Sequence, residues 1–311
     1  MAAWMAKKAS ITSSSTCPYH AAVIIRSEDD YTKYAGNSTL VNSEDLGSVI
    51  ITWKDITDSQ LAKLLEKKTT ISELVIEDCV KLTTLSPAVD KLKTVSSRIV
   101  VDGVSGVTAV NFSALERVGA GVNVLSMSKL QTIEMPVVTF IGGSVVIQIC
   151  GSLTSVSAVS LKTVNASVDI QGCFYLSVAS FASGFGSLKT IAGSFYLRSI
   201  SAKGPQAIST LIMPELETVG SLTLSECYGM RSAVFPKLKT VGSVFLYALS
   251  RFAQLDTPSL TSIKGKFSIV GLAGLSSLCS LGVDESGFTG ASVIHRSSSS
   301  LLGGILSRIS M

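Results

Sequence analysis

One apolar triplet recurs through almost the whole chain, and it limits the possible folds more than any other feature. The copies are Val49-Ile-Ile51, Leu74-Val-Ile76, Ile99-Val-Val101, Val122-Asn-Val124, Val145-Val-Ile147, Val168-Asp-Ile170, Phe195-Tyr-Leu197, Leu222-Thr-Leu224, Val244-Phe-Leu246 and Phe267-Ser-Ile269. Successive copies are 25, 25, 23, 23, 23, 27, 27, 22 and 23 residues apart. Val293-Ile294 is a weaker eleventh copy.

From Leu92 onward a second apolar phrase precedes each triplet, as in Leu92-Lys-Thr-Val95, Leu161-Lys-Thr-Val164 and Leu238-Lys-Thr-Val241. A third lies further upstream, as in Leu82-Thr-Thr-Leu85, Leu130-Gln-Thr-Ile133, Leu153-Thr-Ser-Val156 and Phe252-Ala-Gln-Leu255. Alternation inside a triplet points its outer residues to one side, as in a strand. Segments this short cannot stand alone, but stacked on a like neighbour each becomes one rung of a parallel sheet. Rungs lie ~4.8 Å apart, so ten make a rod of roughly 48 Å. A lone coil cannot bury its apolar face, so the stack has to be continuous. The expected fold is mainly β: a parallel β-solenoid of about ten coils of 22–27 residues.

The solenoid is expected over 43–285, after an N-terminal tail and cap (1–42) and before a Ser-rich tail (286–311). Val23-Ile-Ile25 reads as a cap strand. Ile56-Thr-Asp-Ser-Gln60-Leu61 reads as a helix start: Thr57 caps, Gln60 reaches back, and Ile56 packs on Leu61. A short N-terminal capping helix here would shield the open end of the stack. The two long steps mark insertions, one around Phe181–Gly186 and one around Ser201–Gln206.

Composition narrows the function classes. Hydrophobic residues make up 46% and charged residues 15%, which speaks against disorder. The net charge is only +4, and Lys and Arg are scattered, so nucleic-acid binding has no electrostatic basis. No apolar run is long enough to span a membrane. The N-terminus lacks the apolar core of a secretory signal and resembles a transit peptide only weakly. Arg308 and a short apolar tail make the C-terminus a poor lipid-anchor signal.

Residues that carry chemistry are sparse. Cys79, Cys150, Cys173 and Cys227 occupy the same slot of the repeat and are read as a partial ladder of buried thiols. Cys150 and Cys173 fall on adjacent rungs, close enough for a bridge. Cys17 and Cys279 stand near opposite ends. Cys17-Pro-Tyr-His20 has metal-like spacing but no second half, and there is no Cys-x-x-Cys, so no metal site or cofactor is expected. The only histidines are His20 and His295, which leaves the repeated body without an imidazole base. Asp102 and Asp169 are three coils apart, with Glu77 one coil before Asp102, which is thin support for carboxylate-based sugar cleavage. Catalysis is therefore not expected. Thr94, Thr163, Thr190, Thr218 and Thr240 form an outward column that Arg117 and Phe140 interrupt, read as solvated strand positions.

The middle triplet position also faces outward. It runs Val100, Asn123, Val146, Asp169, Tyr196, Thr223, Phe245, Ser268. Two residues on, the same face shows Asp102, Leu125, Gln148, Gln171, Arg198, Ser225, Tyr247 and Val270. Tyr196, Arg198, Phe245 and Tyr247 are expected to gather on neighbouring rungs beside the Ser201–Gln206 insertion. Tyr and Arg dominate binding hot spots, so these four are the candidate binding residues. Asn37, Asn111 and Asn165 head glycosylation sequons, which carry glycan if the chain is secreted.

Phe235-Pro-Lys-Leu238-Lys-Thr-Val241-Gly-Ser-Val244-Phe-Leu246, with its copies at Met213–Leu222 and Thr257–Ile269, resembles the receptor L-domain family over about 43–282. That family includes the ligand-binding domains of growth-factor receptors and fungal cell-wall proteins. The resemblance implies a right-handed, leucine-rich-repeat-like β-helix at the cell surface or outside the cell. It also implies a non-catalytic module that binds a protein or glycan ligand through its parallel-sheet face. The alternatives are a structural surface or cell-wall coat protein that works through the rod itself by self-association and, remotely, a β-helix polysaccharide-active enzyme.

Overall fold

A computed structural model describes residues 22–176, 184–200 and 210–272, together with the backbone of strands Ser277–Leu281 and Val293–Arg296. The chain is a parallel β-solenoid of about ten turns, and every strand pairing is parallel. The triplets and the phrases before them form one front sheet of 17 strands among the described residues. Where the two phrases fuse, single long strands result: Thr190–Arg198, Thr218–Ser225 and Thr240–Tyr247.

The third phrase forms the back wall. Among the described residues it makes a three-stranded sheet (Ala109–Asn111, Thr132–Glu134, Ser155–Ser157) and a four-stranded one (Thr210–Ile212, Ser232–Val234, Gln254–Thr257, Ser277–Leu281). The Leu82–Leu85 phrase forms no strand. Its neighbour on that side is a helix, and the Thr83 and Thr84 amides donate to the Asp58 carboxylate at 2.9 and 3.3 Å instead of to a strand edge.

Between the walls lies one continuous core. Leu238, Val241, Val244 and Leu246 are all buried, as are their counterparts coil after coil. Each such side chain contributes ~1.5–3 kcal/mol by leaving water. The glycine that follows several second-phrase valines has a steric reason. A Cβ on Gly242 would lie 2.0 Å from the carbonyl oxygen of Gly220 in the coil before, and one on Gly142 would lie 1.9 Å from that of Gly119.

One corner of the coil is built the same way nine times. After nine of the front-sheet strands the chain turns through a residue with positive φ: Asp78, Gly103, Ser126, Ile149, Gly172, Ser199, Glu226, Ala248 and Gly271. Only three of these are glycine, and the rest accept a conformation that L-residues seldom adopt. Immediately after the turn comes an inward residue: Cys79, Val104, Met127, Cys150, Cys173, Ile200, Cys227, Leu249 or Leu272.

Three helices lie toward the N-terminus: α1 (Glu28–Ala35), α2 (Ser38–Asn42) and α3 (Asp58–Leu65). The expected helix start is α3. Thr57 caps it in a full capping box with Gln60, and Ile56, Leu61, Leu64 and Leu65 are buried. Val23–Ile25 is the expected cap strand and pairs with Val49–Ile51. The first described coil carries α1 and α2, and the next carries α3. The Tyr34 hydroxyl of α1 donates to the Leu64 carbonyl of α3 at 3.1 Å, and burial pushes its pKa up to about 12. Lys68 is buried, and its ammonium donates to the carbonyls of Leu40, Val41 and Ser43 at the C-terminal end of α2.

Candidate binding face

The outward columns occupy the front sheet in the register that the triplets imply. Asp169, Tyr196, Thr223, Phe245 and Ser268 are consecutive partners, as are Gln171, Arg198, Ser225, Tyr247 and Val270. Tyr196 and Phe245 are half-buried, while Arg198 and Tyr247 are exposed. The four candidate residues share one face, but they do not sit on adjacent rungs. The rung of Thr223 and Ser225 lies between the Tyr196/Arg198 pair and the Phe245/Tyr247 pair. The two pairs are therefore ~9.6 Å apart, two rung spacings. They flank a floor of small side chains, and Ser225 is buried between its longer neighbours.

Arg198 is held rather than free. Its guanidinium meets Glu226 of the next coil at 3.1 Å. The Ser199 hydroxyl donates to the other Glu226 oxygen at 2.7 Å. The Ser199 and Arg198 bonds together hold the Glu226 carboxyl below its usual range. Glu226 is itself a positive-φ residue (φ 56°), so the shared corner places its carboxylate in reach of Arg198. Two rungs toward the N-terminus from the small-residue floor, the Gln148 amide donates to Asp169 at 2.9 Å.

The corner also carries a feature that the outward columns alone do not reveal. Eight large apolar side chains are exposed among the described residues, and six of them lie within three residues of the corner turn. They are Val80, Ile149, Phe174, Tyr175, Tyr228 and Tyr247. Ile149 is 67% exposed although it is β-branched and sits at φ 58°, two properties that usually exclude each other. The sequence signal was the position just after the Cys slot, where Val80, Phe174 and Tyr228 recur.

The threonine column lies where expected, and the Arg117 guanidinium stacks over the Phe140 ring at 4.1 Å where that column is broken. Glu77 and Asp102 are direct register partners. Burial, then Asp102 and Asp78, raise the Glu77 pKa. No cluster of three or more His, Cys, Asp or Glu suited to a metal ion occurs among the described residues. Of the sequon asparagines, Asn165 is exposed, Asn37 accepts the Leu40 amide as the α2 cap, and the Asn111 side-chain oxygen is buried. Cys17, His20, the Ser201–Gln206 insertion and residues 181–183 of the other insertion lie outside the described residues, as do the side chains of Cys279 and His295, while Phe185 is buried. No described helix is long and apolar enough to cross a membrane.

These features define a parallel β-solenoid protein with an aromatic-edged front sheet. No protein-family model, curated protein or solved structure matches the chain.

Proposed function

We propose that this protein is a non-catalytic binding module of receptor L-domain type. It recognises a protein or glycan ligand with its front sheet and the adjoining corner. The observation that carries this reading is the concentration of exposed apolar residues along one edge of one face. Exposed apolar groups that cluster mark interaction sites far more often than scattered ones. Tyr196, Arg198, Phe245 and Tyr247 border this edge and supply the residue types that anchor interfaces. The resemblance of the Pro-x-Leu-x-x-Val-Gly phrases to receptor L-domains supports a binding role outside the cell. The ordering cost of binding is low, because these side chains stand on a rigid parallel sheet and Arg198 is already fixed by Glu226.

The test is a screen of the full chain against immobilised oligosaccharides and purified extracellular domains, run beside Tyr196→Ala/Phe245→Ala/Tyr247→Ala. A hot-spot residue is worth roughly 2 kcal/mol, about thirtyfold in affinity. The variant should lose at least that much for any ligand the native chain binds, with its melting temperature nearly unchanged because all three face outward. Equal binding by both proteins would refute the assignment of the face. Concentration-dependent assembly of the native chain that the variant retains would favour the structural rod instead.

A further inference from the structure

We propose that Cys150 and Cys173 are a cross-coil disulfide site, able to join two adjacent coils by a covalent bond on the buried side of the corner. Of the nine corner slots, only this pair places cysteine on consecutive rungs. Cys79 is followed in the stack by Val104, and Cys227 lies between Ile200 and Leu249. The geometry is set by the strands just before it. Gln148 and Gln171 are register partners, and each chain then turns through one positive-φ residue, Ile149 or Gly172, to its cysteine.

Both sulfurs consequently face the same way. Cys150 Sγ lies 3.5 Å from the Gln148 carbonyl, and Cys173 Sγ lies 3.6 Å from that of Gln171. The two thiols are close enough for each to shift the other's titration. One rung spacing separates the two chains by ~4.8 Å, inside the roughly 4.4–6.8 Å Cα range of disulfides.

The chemistry is ordinary thiol–disulfide exchange with a low-molecular-weight disulfide such as oxidised glutathione. Either cysteine can act first; where Cys150 does, it gives its proton to solvent. Its thiolate attacks one glutathione sulfur, forms a mixed disulfide and releases one glutathione thiolate. The Cys173 thiolate then attacks the Cys150 sulfur, forms the cross-coil bond and releases the second. The protein loses two protons and two electrons, and one disulfide is reduced to two thiols. Both cysteines are fully buried. Exchange therefore takes place while these coils are open, during folding or transient opening, and the finished bond is sealed from reductant.

The test refolds the full chain from denaturant in a glutathione redox buffer, blocks free thiols and digests with trypsin. Cleavage after Lys129, Lys162 and Lys189 puts Cys150 in peptide 130–162 and Cys173 in peptide 163–189. The expected product is these two peptides joined, two hydrogens lighter than their sum. The link should resist reductant in native buffer and yield to it in denaturant. Cys173→Val, whose new side chain already occupies this slot at Val104, should fold and show no link. The linked protein should melt several degrees above its reduced form, because closing the loop constrains the unfolded chain. Full alkylation of both cysteines after oxidative refolding would overturn the proposal. So would indiscriminate pairing with the other cysteines, or a linked form that melts below the reduced one.

Discussion

At Asp169 a carboxylate stands on the front face between Val146 and Tyr196 in register. One oxygen accepts from Gln148, and the other is buried without a partner. Burial raises its pKa, against the smaller lowering from the Gln148 bond. The native state thus holds this proton more tightly than the unfolded chain, where the value is about 3.9. Its stabilising contribution is complete below that value and is lost as pH rises through the raised folded value. Asp169→Asn should therefore raise the melting temperature at pH 7, and the gain should vanish when both proteins are melted below about pH 3.9. Glu77 is also raised, so the pH profile of the native protein alone mixes two groups. The difference between native and variant isolates Asp169, and an equal or negative shift at both pH values would refute the account. The outward placement of Asp169 was legible from strand alternation, but its occlusion was not. The same holds for Val75 and Val100, outward residues that are buried because they are register partners and shield each other.

Helix α2 is only five residues long, and its Asn37 cap holds the N-terminal end but not the C-terminal one. What ends it is Lys68, whose ammonium takes up carbonyls left free at its C-terminus, where a positive charge also suits the helix dipole. Lys68→Met keeps the aliphatic stem and removes the donor. It should cost roughly 2–3 kcal/mol, read by urea unfolding, and amide exchange should speed up first at residues 38–45. An unchanged midpoint would mean that water replaces the ammonium at little cost. Helix α3 was readable in advance because a capping box spans only four residues. The anchoring of α2 was not, because its partners stand 25 to 28 residues apart in the chain and meet only when the coils stack.

Across the whole molecule each coil rests on its two neighbours alone, so the core is a chain of interfaces rather than a single centre. Val241 is buried in one of them. Val241→Asp places an unpaired charge there, which the cross-coil ion pair of the adjacent Lys239 with Glu217, exposed and weak, cannot offset. Limited proteolysis should find new cuts between about residues 219 and 263, with the N-terminal coils still resistant. Uniform cleavage along the chain would show a more cooperative unit than the stack implies. The coil count and the rung register were legible, because stacking repeats the same residue types at each step. The absence of a strand at Leu82–Leu85 was not, since the Asp58 carboxylate that this phrase meets stands 25 residues back in the chain. The backbone hydrogen bonds that join coils all run along the long axis, as from the Lys239 amide to the Glu217 carbonyl at 2.9 Å. Tension applied at the two tips would meet them one coil after another and peel the stack open at low force. A load applied across the flank would be shared by a whole rank of bonds at once. A rod built this way resists force best when it is held by its side, where the front sheet and its aromatic edge lie.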